Sequence, residues 1–337
     1  MTRGPTPDLS ISIVSLGHVD LARQCLASIE THTDPSLAYE VHVVALNCEP
    51  ASLDELRSDH PDLVLHQETG VRGYSQNNNV ALRAARGRYV VILNDDTILS
   101  DDVFGKLVRF LERHRDVVAA CPVLRNPDGT LQVGIRGRLT PLAFLAQQLK
   151  VDRLLPVTWA VRLGAFDRPW LPDGDGGPVD IEAGTGACFV ARRDALEAIG
   201  FLDEEFFLGP DDVDWTTRLR RQVGRVVLLS DVSLTHLGGV TMAPRYHAVL
   251  PTVYAGCYTF FRRYYGPGAE WVMRFVLGFA WSALLAAWWS AVWVLTRSTY
   301  ARTLMRARGN CARFAFSGDS SARIFARLVA GNPASAS

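Results

Sequence analysis

The chain has 337 residues, 48% of them hydrophobic and 9% aromatic. That is enough apolar material for one large domain or two ordinary ones, and too much for a disordered chain. Lys+Arg and Asp+Glu balance at 35 each, so bulk charge gives no reason to expect a nucleic-acid partner. The charge is unevenly placed: residues 297–337 hold seven arginines (297, 302, 306, 308, 313, 323 and 327) and a single acid, Asp319. Such a tail suits anionic lipid, and equally a merely solvated terminus.

In chain order, the polar stretch Met1–Asp8 runs straight into a strand and reads as no secretory signal, with the catalytic part expected in the cytoplasm. Ser10–Ser15, Glu40–Leu46, Leu63–His66, Tyr89–Leu93 and Val117–Val123 are short apolar runs of strand type. Between them, Leu21–Glu30, Ser52–Ser58, Gln76–Ala85 and Val103–His114 carry helix-spaced apolar residues. This alternation predicts an α/β fold, a mostly parallel sheet flanked by helices, with ligands at the carboxyl ends of the strands. An irregular Pro-, Gly- and Arg-rich stretch follows from Arg125 to Pro178. Within it, Leu142–Leu163 fits an amphipathic lip or an ordinary packed helix. A strand at Ala187–Ala191, a helix near Arg193–Ile199, a helix from Asp211 and a strand at Arg225–Leu229 complete a first unit, 8–245.

The second unit, 246–337, is apolar and then basic. Phe275–Leu295 is 21 residues without a charge, about 31 Å as a helix and so long enough to cross a hydrocarbon core. Gly278, Ser282, Ala286 and Ser290 recur every four residues, a stripe suited to close helix packing in lipid. A crossing would export the arginine tail against the positive-inside tendency, a conflict that a helix lying in or dipping into the cytoplasmic leaflet avoids; a buried core helix is the alternative reading. The six cysteines (25, 48, 121, 188, 257 and 311) show no metal spacing and read as reduced thiols.

Three segments carry chemistry. In Tyr89–Thr97 (YVVILNDDT) an apolar strand stops at Asn94-Asp95-Asp96, which brings oxygen ligands to the sheet edge. Carboxylates there suit Mg²⁺ or Mn²⁺, hard cations that also bridge phosphates. In Phe206–Arg218, Asp211, Asp212 and Asp214 crowd the start of a helix, where the dipole favours carboxylates and one acid can serve as general base. His236 follows a strand in THLGGVT and is either structural or a metal or diphosphate contact.

Taken together, the stretches RGYSQNNNVALRAARGRYVVILNDDTIL (Arg72–Leu99) and GTGACFVARRDALEAIGFLDEEFFLGPDDVDWTTRLR (Gly184–Arg220) resemble the family 2 glycosyltransferases of the GT-A fold, especially the bacterial rhamnosyltransferase-like branch. The resemblance runs from about Ser10 to Gly239. It implies that Asn94 and Asp96 fill the metal motif, with Asp96 and His236 toward the metal and Asp95 beside them. It implies that Asp212 is the catalytic base, next to Asp211, where the family usually has Glu. It also implies that Gly184, Thr185 and Gly186 form the loop near donor sugar and acceptor, and that Asn78 and Asn79 lie next to the donor.

Two departures bear on base recognition. Leu46 stands where the family usually has an Asp that contacts the nucleotide base, and Ser15-Leu16-Gly17-His18 replaces a more polar loop. Backbone groups or Glu49 are left to read the base. The resemblance implies inverting transfer from dTDP-rhamnose or a UDP-sugar to a polyprenyl-linked or polysaccharide glycan at the cytoplasmic face of the cell membrane. A non-catalytic nucleotide-sugar or glycan-binding protein, and a sugar-nucleotide nucleotidyltransferase, are the alternatives.

Overall fold

In the computed structural model, the described residues are 6–17, 19–132, 135–162, 177–238 and 243–330. The amino-terminal Met1–Pro5, His18 of the first loop, part of the Arg125–Pro178 stretch and the last seven residues lie outside them. Eleven strands are described: β1 (Leu9–Leu16), β2 (Tyr39–Leu46), β3 (Val64–Glu68), β4 (Tyr89–Asn94), β5 (Thr97–Ile98), β6 (Val117–Arg125), β7 (Ile135–Arg136), β8 (Pro178–Asp180), β9 (Ala183–Gly184), β10 (Cys188–Arg192) and β11 (Arg225–His236). The main sheet runs β3-β2-β1-β4-β10-β6-β11-β5, with β8 paired to β11; β7 and β9 form a separate ladder.

The mixed α/β architecture, a central sheet flanked by helices, is the one expected. β1 to β4 are parallel, joined by helices, while β10 is inserted antiparallel between β4 and β6. Strand alternation sorts the core onto two faces. Tyr89, Val91 and Leu93 pack on one face with Ile11, Ile13 and Phe104; Val90 and Ile92 pack on the other with Phe189 and Trp215. Phe189 and Trp215 meet edge to face at 4.2 Å, and such a pair adds about 0.5–1.5 kcal/mol beyond area burial.

Register decides where the site lies. Leu16 pairs with Leu46, and Val14 with Asn94, so β1, β2 and β4 end along one edge. β11 runs parallel to β6 and continues past the expected Leu229, through a register shift, to His236 at the same edge. The polar Ser230-Asp231 break interrupts the apolar run but not the strand. The two-residue strands escape sequence periodicity because they are too short to show one.

The carboxyl-terminal helices pack onto this body. Helix Tyr246–Tyr265 buries Tyr254, Tyr258 and Phe261 against Val213, Phe206, Met273 and Leu277. The apolar region forms one continuous helix, Pro267–Thr296, with mean hydropathy 1.6, including a π-helical segment at Arg274–Trp281. By length and composition it can cross a membrane. Arg297, with φ 54°, turns the chain back into Thr299–Phe314. The small-residue stripe therefore works inside the chain: a Cβ on Gly278 would lie 2.3 Å from the Tyr258 hydroxyl and 3.1 Å from Ala315. Ser282 is fully buried and donates to Leu277 O.

Candidate active site

A cleft of about 350 Å³ opens at the carboxyl edge of the sheet. Its floor is Val14, Leu16, Leu46 and Asn94–Asp96; Gly70–Arg72, Tyr74 and Asn77 form one wall, and His236 and Arg245 another. Phe207, Leu208, Phe325 and Val329 complete the lining. Phe325 and Val329 come from helix Ser321–Ala330, so the carboxyl-terminal end of the chain reaches the cleft. The Phe325 and Phe207 rings lie 5.0 Å apart.

Asp96 and His236 meet at the centre, with Asp96 Oδ1 3.1 Å from His236 Nε2. The other carboxylate oxygen accepts from Gly238 N at 3.1 Å. His236 Nδ1 lies 2.8 Å from Gln132 Oε1, and Gln132 Nε2 donates to Asn126 Oδ1 and His236 O. Because the amide end of Gln132 is fixed as donor, its oxygen must accept from Nδ1–H, which assigns the ring proton there. In the neutral form of the ring, Nε2 has no proton and lies between the Asp96 carboxylate and the Asn94 amide nitrogen, the latter 3.3 Å away. Two electron-rich atoms turned toward one another fit a shared cation. Among the described residues no group of three or more His, Cys, Asp or Glu could hold a metal alone. The fit is therefore to an ion such as Mg²⁺ or Mn²⁺ with one or two protein ligands and the rest from phosphate and water. Asp95 accepts from Ser15 Oγ at 3.0 Å and anchors the turn.

The acid pair lies beyond Tyr74. Asp212 Oδ2 accepts from Gly186 N at 3.3 Å, and Oδ1 from Val213 N at 2.9 Å. Asp211 accepts from Gly209 N at 3.0 Å, while its second oxygen is buried with no hydrogen-bond partner. Burial, and then the charge of Asp212, push Asp211 up to about 7. Asp214 is separate: fully buried, it is held by Arg218 at 2.7 Å, Arg263 at 3.1 Å and Tyr264 at 2.8 Å, an internal ion-pair network. The Gly184–Gly186 loop is shaped by contact. A Cβ on Gly184 would lie 2.7 Å from Phe189, and one on Gly186 2.9 Å from the Tyr74 hydroxyl. Thr185 lies between them, half-buried.

Some sequence expectations need correction. Asn78 and Asn79 are buried off the cleft: Asn78 bridges Ser12 Oγ and Tyr74 O, and Asn79 holds Leu202 and Glu204. The helix turns their neighbour Asn77 to the cleft instead, bonded to Arg72 at 3.0 Å. Glu49 is exposed before helix Pro50–Asp59 and does not line the cleft. Asn47 lines the cleft, but its amide both donates to and accepts from the Gly70 backbone at 2.9 Å. Gln132 and Tyr74 were missed. Only the place of Tyr74 at a helix start, in RGYSQNNN, hinted at its role.

A carboxylate and a histidine thus lie at the strand ends of a GT-A-type sheet, with an acid pair on the far side of Tyr74. Residues 7–264 match the glycosyltransferase-like family 2 profile, and the chain belongs to that family. It is 28% identical over 274 residues to the O-antigen biosynthesis protein RfbC of Myxococcus xanthus, covering 79% of this chain but only 20% of that longer protein. In structure it is similar to the mannosyltransferase PcManGT from Pyrobaculum calidifontis, solved with GDP-Man and Mn²⁺ (TM-score 0.55, 18% identity, covering 94% of this chain and 89% of that one). It is also similar to GalNAc-T7, solved with UDP, GalNAc and Mn²⁺ (TM-score 0.50, 14% identity, 78% and 51% covered).

Proposed function

We propose that this chain is an inverting, metal-dependent glycosyltransferase that moves a hexose, rhamnose or a similar sugar, from a nucleotide diphosphate to an acceptor hydroxyl in cell-envelope glycan synthesis. The observation that carries the reading is the pairing of Asp96 with His236 in the cleft, across Tyr74 from the Asp211–Asp212 pair. The diphosphate belongs at the Asp96 end. Asp96 and His236 would hold Mg²⁺ or Mn²⁺ there, and the ion would supply charge neutralisation for the leaving diphosphate. Asp212 takes the acceptor hydroxyl's proton. Gly186 N donates to its Oδ2 at 3.3 Å and so fixes how the carboxylate is turned. Asp211, pushed up to about 7, carries less negative charge beside it.

The nucleotide base belongs between Leu16, Leu46 and Val71. With Asn47 engaged by Gly70, the base is read by backbone groups and by apolar contact. A dTDP- or UDP-linked sugar fits that description. For the acceptor we propose a polyprenyl-linked or polysaccharide glycan, met at the cytoplasmic face of the membrane. Segment 246–337 is proposed as the membrane-associated part. Trp271, Phe275, Phe279, Leu284, Trp288 and Leu295 are each between 46% and 84% exposed along Pro267–Thr296. The returning helix, Thr299–Phe314, is tied to the catalytic body by Arg308 bonded to Tyr254 at 2.7 Å. That favours a helix lying in one leaflet over one that crosses.

The test is a panel of nucleotide sugars assayed for Mn²⁺-dependent release of nucleoside diphosphate, with and without membrane lipid extract. Release from a dTDP- or UDP-sugar, stimulated by extract, is the expected result. Binding without release points to a carbohydrate-binding protein, and release of inorganic diphosphate from a triphosphate to a nucleotidyltransferase.

A further inference from the structure

The helix that carries Asp212 has a second face, turned away from the acid pair. Val213, Thr217, Arg220 and Arg221 follow the i, i+4, i+7, i+8 spacing that places side chains along one stripe. This stripe lines a second cavity, of about 200 Å³, together with Arg138, Glu182 and Tyr265. Nothing in the reaction proposed above uses it.

Three guanidinium groups and one carboxylate line this cavity. Glu182 lies 3.7 Å from Arg138 and 3.6 Å from Arg220, both long contacts between half-exposed groups. Arg220 also donates to Ile181 O at 2.7 Å, which fixes its position. Arg221 stacks over the Tyr264 ring at 4.9 Å and has no carboxylate partner among the described residues. An excess of two positive charges thus borders a concave, partly aromatic pocket. The planar forks of arginine match phosphate oxygens two at a time, and the positive charge is only partly answered by Glu182.

The surroundings indicate what carries the phosphate. Tyr265 is followed at once by Gly266 and the apolar helix, whose Trp271 and Val272 are 60% and 51% exposed. Leu139 also lines the cavity and leads into helix Pro141–Gln148, whose Leu142 is 76% exposed. A charged headgroup in the cavity would have exposed apolar side chains of two adjoining helices near it for its chains.

We propose that the Arg138–Arg220–Arg221 cavity binds a phosphate group, and that the phosphate is the headgroup of a membrane lipid. The proposal rests on the membrane-associated reading given above, and the test separates the two. Full-length protein is floated with phosphatidylcholine vesicles, with and without phosphatidylglycerol. The paired substitution Arg138→Gln/Arg221→Gln is compared with Arg302→Gln/Arg306→Gln, which removes the same charge from the returning helix. In parallel, thermal shifts by inorganic pyrophosphate are read in the presence of EDTA, so that the metal-dependent cleft does not respond.

The preference for anionic vesicles should fall about tenfold or more in the cavity variant and less in the control. Pyrophosphate should stabilise the wild type and the control but not the cavity variant. Stabilisation by pyrophosphate without any vesicle preference keeps the anion site and makes its ligand a free phosphate. Equal losses in the two paired variants, with no pyrophosphate effect, overturn the site in favour of diffuse surface charge. If the wild type ignores all vesicles, the membrane reading fails, and the pyrophosphate arm still decides the cavity. Nucleoside diphosphate release in detergent should be the same in the cavity variant as in the wild type.

Discussion

His236 Nε2 stands 3.1 Å from Asp96 Oδ1, and Gln132, bonded to the far side of the ring, holds it in that orientation. Residues 96, 132 and 236 come from three separate parts of the chain, so each can be tested alone. Asp96→Ala should abolish sugar transfer and Mn²⁺-dependent binding of UDP or dTDP, with little change in Tm at this polar edge. Gln132→Leu should keep the ligands but loosen the ring, weakening metal affinity by about 10–100-fold. Calorimetry of Mn²⁺ binding in the presence of nucleotide measures both. Unchanged Mn²⁺-dependent nucleotide binding in Asp96→Ala would falsify the metal role.

The acid pair predicts an asymmetry. Asp212→Asn keeps volume and one hydrogen-bonding oxygen but cannot take a proton, so single-turnover transfer should fall by about 10²–10⁴. The donor dissociation constant should hardly move. Asp211→Asn should cost less, because Asp211 already carries much of its proton near neutrality. If Asp211→Asn proves the inactive variant, the base has been assigned to the wrong neighbour.

Asp211 also predicts a pH dependence of stability. Its pKa is raised from 3.8 to about 7, so between those values the folded chain keeps a proton that the unfolded chain has released. Stability must then fall with rising pH over about pH 4 to 7, with the group's contribution gone above that window. Asp211→Asn removes this dependence. The Tm of the variant minus that of the wild type should increase as pH rises through the window. A difference that stays flat would mean that Asp211 ionises normally.

Tyr74 should act on the loop as well as the cleft. Its hydroxyl donates to Gly186 O at 2.6 Å, and burial with the Asp211 and Asp212 charges holds its pKa well above the usual tyrosine value. Tyr74→Phe loses a hydrogen bond worth about 1 kcal/mol, or roughly fivefold, which should appear in transfer more than in donor binding. Gly186→Ala pushes a methyl against the same hydroxyl and should cost more. Comparing kcat and donor KM for the two variants checks this order.

The membrane face is better tested by substitution than by truncation. Removing everything from Ala269 onward would uncover the hydrophobic cluster around Tyr258 and Phe261 and take Phe325 from the cleft. Leu284→Glu with Trp288→Glu changes only exposed positions, at 60% and 63%. This pair should release the protein from membranes while leaving Tm nearly unchanged and donor release in detergent intact. Membrane retention equal to the wild type after a high-salt wash would show that this face does not anchor the chain.

The longer strands, most helices and the Asn94–Asp96 edge could be read from residue order because they depend on local periodicity and on where an apolar run stops. Tyr89–Leu93 alternates between two core faces, and the acids that follow it are too polar to continue inside. Asp211, Asp212 and Asp214 look alike in sequence, since all three open one helix. The family resemblance singles out Asp212, and the fold supplies the physical difference by placing Arg218, Arg263 and Tyr264 around Asp214 and Gly186 beside Asp212. The same holds for Asn77 against Asn78 and Asn79, where the rotation of one helix selects which amide meets the cleft. Gln132 and Phe325 had no local signature at all. They reach the site because β11 and the returning carboxyl-terminal helices bring distant segments together, and that proximity is a property of packing, not of sequence neighbours.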